Sequence, residues 1–329
     1  MSNQGFQVDN KQKGIALLTV IWVLTILLVI VFSFTYLART ETQAAHSFKE
    51  GIENKFLAEA GIERGILELF YRQKYRGAAF LLAGNELWRT DGAPYSIPLG
   101  EGTYSVRLFD ESGKIDLNTG EVTLLKNLLT GLGVTGVDLE TIVDSIQDWK
   151  DKDDLIRLNG AESEYYKSLP GPYKAKNADF DSLEELIMVK GITRELLYGA
   201  GNQKGLKEFL TVLGKTRTIN ANAAPKEVLM AVPGMSLEVA EAIIGFRRTN
   251  EFKNDQELVP LLGPNANQIK PFLTTASSNT FTLESFGYGK RSQLGAGIRA
   301  AVSLQSVNNY KLIYYKTPVT LKKDEPSPK

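Results

Sequence analysis

The sequence predicts an α+β protein in which a long N-terminal transmembrane helix packs on an antiparallel sheet, with a large inserted all-α domain. Three observations predict this fold. The residues from Ile15 to Ala38 form an uncharged run of 24. Helix-compatible sequence without proline continues to about Arg76. Strand-like segments lie on both sides of a helix-rich stretch of about 160 residues, and separated strands can share one sheet when the chain between them folds as its own unit.

The composition excludes several classes of site. The chain has 329 residues, about twice the length of a typical domain, so we expect two folded units. Basic and acidic residues number 38 each, so any electrostatic function must be local. The absence of cysteine excludes thiolate zinc sites, iron–sulfur clusters, disulfides and cysteine nucleophiles. His46 is the only histidine and no phosphate-binding glycine loop is present. We therefore interpret the protein as a non-enzyme.

The uncharged run is interpreted as a membrane span. At about 1.5 Å per residue it forms a helix of about 36 Å, long enough to cross a hydrocarbon core of about 30 Å. The alternative is a secretory signal peptide, whose apolar part lasts only about 7–15 residues and ends at an A-x-A-like site. Lys11 and Lys13 precede the run, which predicts a cytoplasmic N-terminus and a body beyond the membrane.

Beyond the membrane the same helix carries one apolar stripe with helical spacing. The stripe consists of Ala45, Phe48, Ile52, Phe56 and Ala60. Gly61 and Gly65 follow the stripe, and each weakens a helix by about 1 kcal/mol relative to alanine. We expect one helix of roughly 60 residues, half in lipid and half packed on a domain.

Alternating segments predict the sheet. Tyr95–Leu99 and Thr103–Phe109, separated by Gly-Glu-Gly, have the pattern of a β-hairpin. Three further strands are predicted near the C-terminal end, namely Thr280–Phe286, Gly297–Gln305 and Tyr310–Thr317.

The helix-rich stretch contains an internal repeat. Ile115–Thr119 and Ile219–Ala223 are each followed by a helix, a glycine turn and a second helix, with a third partial copy at 182–197. These are helix-hairpin-helix-like units, which also occur in DNA-binding proteins. The turn at Pro233–Ser236 has serine where a second glycine is expected, and acidic residues follow it closely. We therefore favour a structural hairpin and do not expect nucleic acid as a partner, because phosphate binding needs flexible glycines and local positive charge.

A series of blocks resembles one family in order along the chain. The blocks are KGIALLT, ARTETQAA, LAEAGIERGILEL, DESGKIDLNTG, QDWKDKDDLIRLNGAESEYY, FDSLEELIMVKGIT and INANAAPKEVLMAVPGM. They are similar to the type II secretion system protein K family, also called general secretion pathway protein K, which is the largest minor pseudopilin. A glycine before an apolar run is weak by itself, but the ordered blocks together are specific. The resemblance extends to about Thr317 and implies a pilin-like sheet domain.

This resemblance and the patterns above predict a division of the chain into five parts. They are a prepilin leader at 1–14, the N-terminal helix at 15–76 with 15–38 in the membrane, the pilin-like β-sheet domain at 77–118 and 276–318, the inserted α-helical domain at 119–275, and a disordered tail at 319–329.

The resemblance also implies processing by prepilin peptidase. Cleavage is expected between Gly14 and Ile15, followed by N-methylation of Ile15. Most pilin-like proteins carry glutamate at the fifth mature position, where this chain has Thr19. A threonine cannot neutralise the buried terminal amine of a neighbouring subunit. Thr19 is therefore expected to determine a position at the tip of a filament.

An acidic block predicts a cation site. Its candidate ligands are Asp148, Asp151, Asp153, Asp154, Glu162 and Glu164. Calcium takes six to eight oxygen ligands, which closely spaced carboxylates can supply. The spacing is not that of an EF-hand, and a solvated acidic surface is the alternative. The resemblance implies a structural calcium ion in the helical domain near this block.

The function implied by the resemblance is that of a minor pseudopilin at the tip of a type II secretion pseudopilus, taking part in pseudopilus initiation and protein export across the outer membrane. The expected partners are other minor pseudopilins, contacted through Phe48, Ile52 and Phe56, and prepilin peptidase. The expected location is the inner membrane, with one span and a periplasmic body. A minor pilin of a type IV pilus and a membrane-tethered DNA-binding protein remain alternatives.

Overall fold

The N-terminal helix α1 runs without interruption from Asn10 to Tyr75. It belongs to a computed structural model that describes residues 10–75, 87–290, 295–306 and 308–319. The stretch starting at Ile15 is long and apolar enough to cross a membrane, and none of its most apolar window is buried inside the protein. The first residues of the predicted leader and nearly all of the predicted tail lie outside the described residues.

Strands form one large sheet and two short pairs. The strands are β1 (Asp91–Leu99), β2 (Gly102–Asp110), β3 (Ile115–Asp116), β4 (Leu210–Thr211), β5 (Ile219–Asn220), β6 (Leu273–Thr274), β7 (Thr280–Tyr288), β8 (Ala296–Ser306) and β9 (Asn309–Lys316). The large sheet has the order β1-β2-β7-β8-β9, and every neighbouring pair in it is antiparallel. The predicted α+β fold class is confirmed.

The insertion leaves the sheet and re-enters it at adjacent positions. Asp110 at the end of β2 lies opposite Phe281 at the start of β7. The chain between them can therefore form a separate unit without changing the register of the sheet. Asp110 is buried and accepts hydrogen bonds from the backbone N–H of Ser112 at 2.9 Å, from Asn220 Nδ2 at 3.1 Å and from Ser278 Oγ at 2.7 Å. One carboxylate thus joins the sheet to both ends of the insertion.

One face of α1 packs on the sheet. The buried positions on α1 recur every three or four residues, and those on β2 alternate with a period of two. They are Leu57, Ala58, Ile62, Ile66 and Leu69 on the helix, Tyr104, Val106 and Leu108 on β2, and Phe281, Leu283, Ile298, Ala300, Val302 and Leu304 on β7 and β8. Gly61 lies at the centre of this contact, where a Cβ atom would come within 2.9 Å of Val106 Cγ2 and would contact Ser285 Oγ.

The insertion is rich in short helices. The α-helices are α2 (Val122–Gly131), α3 (Gly136–Lys150), α4 (Ser163–Lys167), α5 (Arg194–Tyr198), α6 (Lys226–Met230), α7 (Leu237–Thr249), α8 (Val259–Leu262) and α9 (Ala266–Ile269). The 3₁₀ helices are Glu111–Gly113, Leu183–Met188, Leu206–Glu208, Asp255–Leu258, Gly263–Asn265 and Lys270–Phe272. A second hydrophobic core, separate from that under α1, includes Trp149, Tyr166, Phe209 and Phe252.

The prediction of an all-α insertion was wrong in one respect. β3 pairs in parallel with β4, and β5 pairs in parallel with β6. Two-residue strands carry no alternating pattern, so the sequence did not indicate them. The predicted boundary after residue 118 was also too late, because Ile115 and Leu117 belong to the core of the insertion.

The predicted repeat is present as a repeated hydrogen-bond pattern. Asn118 Oδ1 accepts from the N–H of Phe180 at 2.8 Å, and its Nδ2 donates to the carbonyl of Phe180 at 3.0 Å. Asn222 makes the same two bonds with Phe252, at 3.0 and 2.9 Å. In both copies the side-chain amide of one asparagine forms two hydrogen bonds with the backbone of a distant residue. A neighbouring strand would otherwise form such a pair of bonds. The similar sequences at the two positions therefore encode the same local structure.

Candidate cation site and the exposed face of the long helix

Three carboxylates converge where α3 ends. Asp148 and Asp151 lie three residues apart and so share one side of the helix end. Glu162 precedes α4 and is brought back to them by the intervening loop. One oxygen from each of the three carboxylates lies within 4.8 Å of the others. Asp148 is fully buried, and Glu162 is only 4% exposed.

The local backbone explains why the loop can return so closely. The N–H of Asp151 donates to the carbonyl of Gln147 at 3.0 Å and ends α3. Gly160 then passes against Asp148, where a Cβ atom would contact Oδ2 and come within 2.8 Å of Cγ. A side chain at position 160 would push the loop away from the helix. Glycine there is therefore a requirement of the cluster.

The three carboxylates differ in the hydrogen bonds that they accept. Asp148 accepts a hydrogen bond from Arg157 Nη1 at 2.6 Å, and the same nitrogen contacts Asp151 Oδ2. The buried oxygens Oε1 and Oε2 of Glu162 and Oδ1 of Asp151 accept no hydrogen bond from the described residues. Burial, followed by the charges of Asp148 and Asp151, raises the pKa of Glu162 to about 7.

Buried oxygens without donors are the environment that a hard cation favours. A buried polar atom without a partner is costly, and calcium binds carboxylate oxygens together with backbone carbonyls and water. The three converging carboxylates therefore fit the predicted cation.

The other three predicted ligands do not join this cluster. Asp153 Oδ1 accepts from the N–H of Leu155 at 2.9 Å, and Asp154 Oδ1 accepts from Asn177 Nδ2 at 3.2 Å. Glu164 is exposed on α4. The block that looked uniform in sequence thus divides into three converging carboxylates and three that face solvent. The sequence analysis did not identify Gly160, whose missing side chain allows the loop to approach Asp148.

The three predicted partner residues of the α1 stripe lie outside the sheet contact, whereas Ala60 at the end of the stripe packs against the sheet core. Phe48 is 71% exposed, Ile52 41% and Phe56 64%. They lie on the same helix as the buried positions of the sheet contact, but they point elsewhere. Within the described part of the chain, the long helix therefore presents an uncovered apolar face beyond its membrane-length segment.

The helix start contains the predicted processing and tip positions. Gly14 lies within the helical backbone of α1, and Ile15 is exposed. Thr19 Oγ1 donates to the carbonyl of Ile15 at 2.6 Å. The only hydrogen that this hydroxyl can donate is thus used inside its own helix, and the side chain brings no negative charge.

The hairpin most similar to DNA-binding modules is packed against the protein. Gly234 has a positive φ of 79°, and a Cβ atom there would lie 2.8 Å from Gln268 Oε1. Its carbonyl accepts from Asn265 Nδ2 at 3.1 Å. Arg247, a basic residue near the C-terminal end of α7, is buried and donates to the carbonyls of Ala221 and Ala224. The geometry supports the structural interpretation of this hairpin.

Comparison with known families decides between the interpretations of the chain. A family model for type II secretion system protein K matches residues 107–215, and a second model with the same description matches residues 219–280. Together they cover about half of the chain. The protein belongs to the type II secretion system protein K family.

Individual relatives agree with this assignment. The chain is 24% identical over 206 residues to type II secretion system protein K of Aeromonas hydrophila, which covers 57% of this chain and 61% of the relative. It is 27% identical over 200 residues to the protein K of Pectobacterium carotovorum subsp. carotovorum, covering 57% and 60%. The matched part therefore spans about three fifths of the length of these curated family members.

A solved structure has the same fold. A chain in the crystal structure of the GspK–GspI–GspJ complex from the type 2 secretion system of enterotoxigenic Escherichia coli matches with a TM-score of 0.59 and 20% identity. The alignment covers 86% of this chain and 99% of that chain. The fold of the family thus includes both the sheet and the insertion.

Proposed function

We propose that the protein is a minor pseudopilin at the tip of a type II secretion pseudopilus, where it takes part in pseudopilus initiation and in protein export across the outer membrane. The observation that carries this proposal is the long helix α1, which joins a membrane-length apolar segment to an uncovered apolar face and then to the sheet. A filament subunit needs such a helix to pack on its neighbours. The family supports the same role.

The insertion supports a place at the end of a filament. It emerges from adjacent positions of β2 and β7 and carries its own hydrophobic core. Such a bulky unit is easier to accommodate at a tip than within a shaft. Thr19 supports the same position, because a subunit without a carboxylate there cannot compensate the terminal amine of a neighbour. The role is one of assembly, and we infer no catalytic step.

Partners are proposed from the uncovered face of α1. The solved structural neighbour is a complex with GspI and GspJ, and proteins of that kind are the partners proposed here. The test is extraction of the full chain from membranes in mild detergent together with the minor pseudopilins of the same cell. Co-purification of those subunits would support the proposal. Retention of nucleic acid, with binding that weakens steeply with salt, would instead favour the DNA-binding alternative.

Processing gives a second expected result. Prepilin peptidase is expected to cut between Gly14 and Ile15 at the cytoplasmic face of the inner membrane and to leave a methylated Ile15. Glycine has no side chain to obstruct a protease pocket, and the basic residues before the run keep the bond at the membrane surface. Intact-mass measurement of membrane-extracted protein should show a chain that begins at Ile15 plus one methyl group. A stable uncleaved chain in cells with active peptidase would contradict this.

We further propose that the cluster of Asp148, Asp151 and Glu162 binds one structural calcium ion. The ion would replace the missing donors at Glu162 and Asp151 and tie the loop to the end of α3. An ion that binds only the folded state adds about 2.7 kcal/mol at a hundredfold excess over Kd. Chelation should therefore lower the Tm of the detergent-solubilised full chain by about 5 °C, and calcium should restore it better than magnesium.

Two double variants test which carboxylates are involved. Asp151→Asn with Glu162→Gln should abolish the thermal response to calcium, since it removes two of the three converging carboxylates. Asp153→Asn with Glu164→Gln removes the same charge from exposed positions outside the cluster and should keep the response. If both double variants lose the response, or if the unchanged chain has none, the calcium proposal fails.

A further inference from the structure

One arginine bridges two members of the carboxylate cluster. Arg157 Nη1 donates to Asp148 Oδ1 at 2.6 Å and also contacts Asp151 Oδ2. The backbone N–H of Arg157 donates to Asp148 Oδ2 at 3.2 Å. The side chain is 40% exposed, whereas the carboxylate of Asp148 is fully buried. The positive charge therefore reaches the cluster from the solvent side and lies between two carboxylates, as a bridging cation would.

The bridge leaves the third carboxylate uncompensated. Glu162 is 4% exposed, and neither of its oxygens accepts a hydrogen bond within the described part of the chain. With all three carboxylates ionised and Arg157 present, the cluster carries a formal charge of about −2, which one divalent ion would neutralise. Without the arginine the charge would be about −3, and the attraction for a divalent ion would increase.

We propose that Arg157 is a tethered cation that sets how strongly the site depends on a bound divalent ion. It holds Asp148 and Asp151 together when no ion is bound, and its charge weakens the binding of the ion. The inference rests on the proposed calcium site. In this proposal Arg157 changes the affinity of the site for the ion without being a ligand of the ion.

The decisive variant is Arg157→Gln, measured in the full chain in detergent by thermal unfolding and calcium titration. In chelator its Tm should lie below that of the unchanged chain, because three carboxylates then repel one another. In calcium its Tm should rise by more than that of the unchanged chain, and the Kd for calcium should fall about tenfold or more. The opposite signs of the two effects distinguish a tethered cation from an arginine that merely supports the fold.

Two further variants separate charge from other effects. Arg157→Lys keeps the charge and should keep the weaker calcium binding of the unchanged chain. Arg217→Gln removes an equal charge from an exposed arginine of the same insertion that forms no ion pair with the described residues. This control should leave both Tm and Kd unchanged. A lysine variant that binds calcium as tightly as the glutamine variant would overturn the proposal.

A charge-balanced pair protects the test against a variant that does not fold. Arg157→Gln combined with Glu162→Gln has the same formal cluster charge as the unchanged chain. It should bind calcium about tenfold more tightly than Glu162→Gln alone. Equal affinity in these two variants, or an equal loss of Tm in calcium and in chelator for Arg157→Gln, would assign Arg157 a purely structural role. If the unchanged chain does not respond to calcium, the calcium site itself fails and this inference fails with it.

Discussion

Substitution of Gly61 by alanine is expected to destabilise the packing of the long helix on the sheet, although alanine favours helices. A Cβ atom at Gly61 would contact Ser285 Oγ and lie 2.9 Å from Val106 Cγ2 and 3.0 Å from Tyr104 Cδ2. Val106 and Ser285 are fully buried, so they cannot move into solvent. Overpacking of this kind costs about 1–3 kcal/mol, and the larger Gly61→Leu should prevent stable packing altogether.

Gly51 provides the matched control in the same helix. It is exposed, and a Cβ atom there would have nothing within 4 Å. Gly51→Ala should therefore raise stability by up to about 1 kcal/mol through helix propensity alone. Thermal unfolding of the full chain in detergent, followed by circular dichroism, measures both variants. A Tm of Gly61→Ala equal to or above that of Gly51→Ala would contradict the proposed close packing.

Removal of the uncovered apolar face of α1 should abolish assembly with the other minor pseudopilins. The variant replaces Phe48, Ile52 and Phe56 together by alanine. Each side chain can contribute about 1.5–3 kcal/mol when it becomes buried at an interface. Because Phe48 and Phe56 are largely exposed and Ile52 is 41% exposed in the chain alone, the variant should fold normally. Co-purification with the partner subunits from membranes should fall at least about a hundredfold, as 1.4 kcal/mol corresponds to tenfold in affinity.

A second exposed apolar triplet serves as the control. Leu155, Ile156 and Leu158 are 76, 63 and 95% exposed, but they lie in the insertion rather than on the long helix. Their joint replacement by alanine removes a comparable apolar surface and should leave co-purification unchanged. Normal assembly of the α1 variant would show that the helix face is not the interface. Loss of assembly in both variants would point to a general effect of lowered hydrophobicity.

Much of the architecture could be predicted because it is encoded locally. The strand pairs β1–β2 and β7–β8–β9 follow alternating segments, and the continuity of α1 follows from a long run without proline. The two-residue pairs β3–β4 and β5–β6 could not be predicted, since a pair of residues has no periodicity and its partner lies about 50 to 95 residues away. The sequence motif of each repeat contains the bonding asparagine, Asn118 or Asn222. The motif does not indicate the distant residue with which that asparagine forms hydrogen bonds.

The candidate site shows the same limit. The acidic block after α3 and the apolar stripe on the long helix could both be predicted from the sequence, because both are properties of residues close together in the chain. The convergence of Asp148, Asp151 and Glu162, with Asp153 facing solvent, is visible only in the folded chain. Which carboxylates converge depends on where α3 ends, because this sets the side of the helix on which Asp148 and Asp151 lie. It depends also on the loop that returns past Gly160 and brings Glu162 to them. Tertiary packing likewise distinguishes Gly61 from Gly51. The sheet lies against Gly61 and leaves no room for a side chain there, whereas no other element of the described chain lies against Gly51.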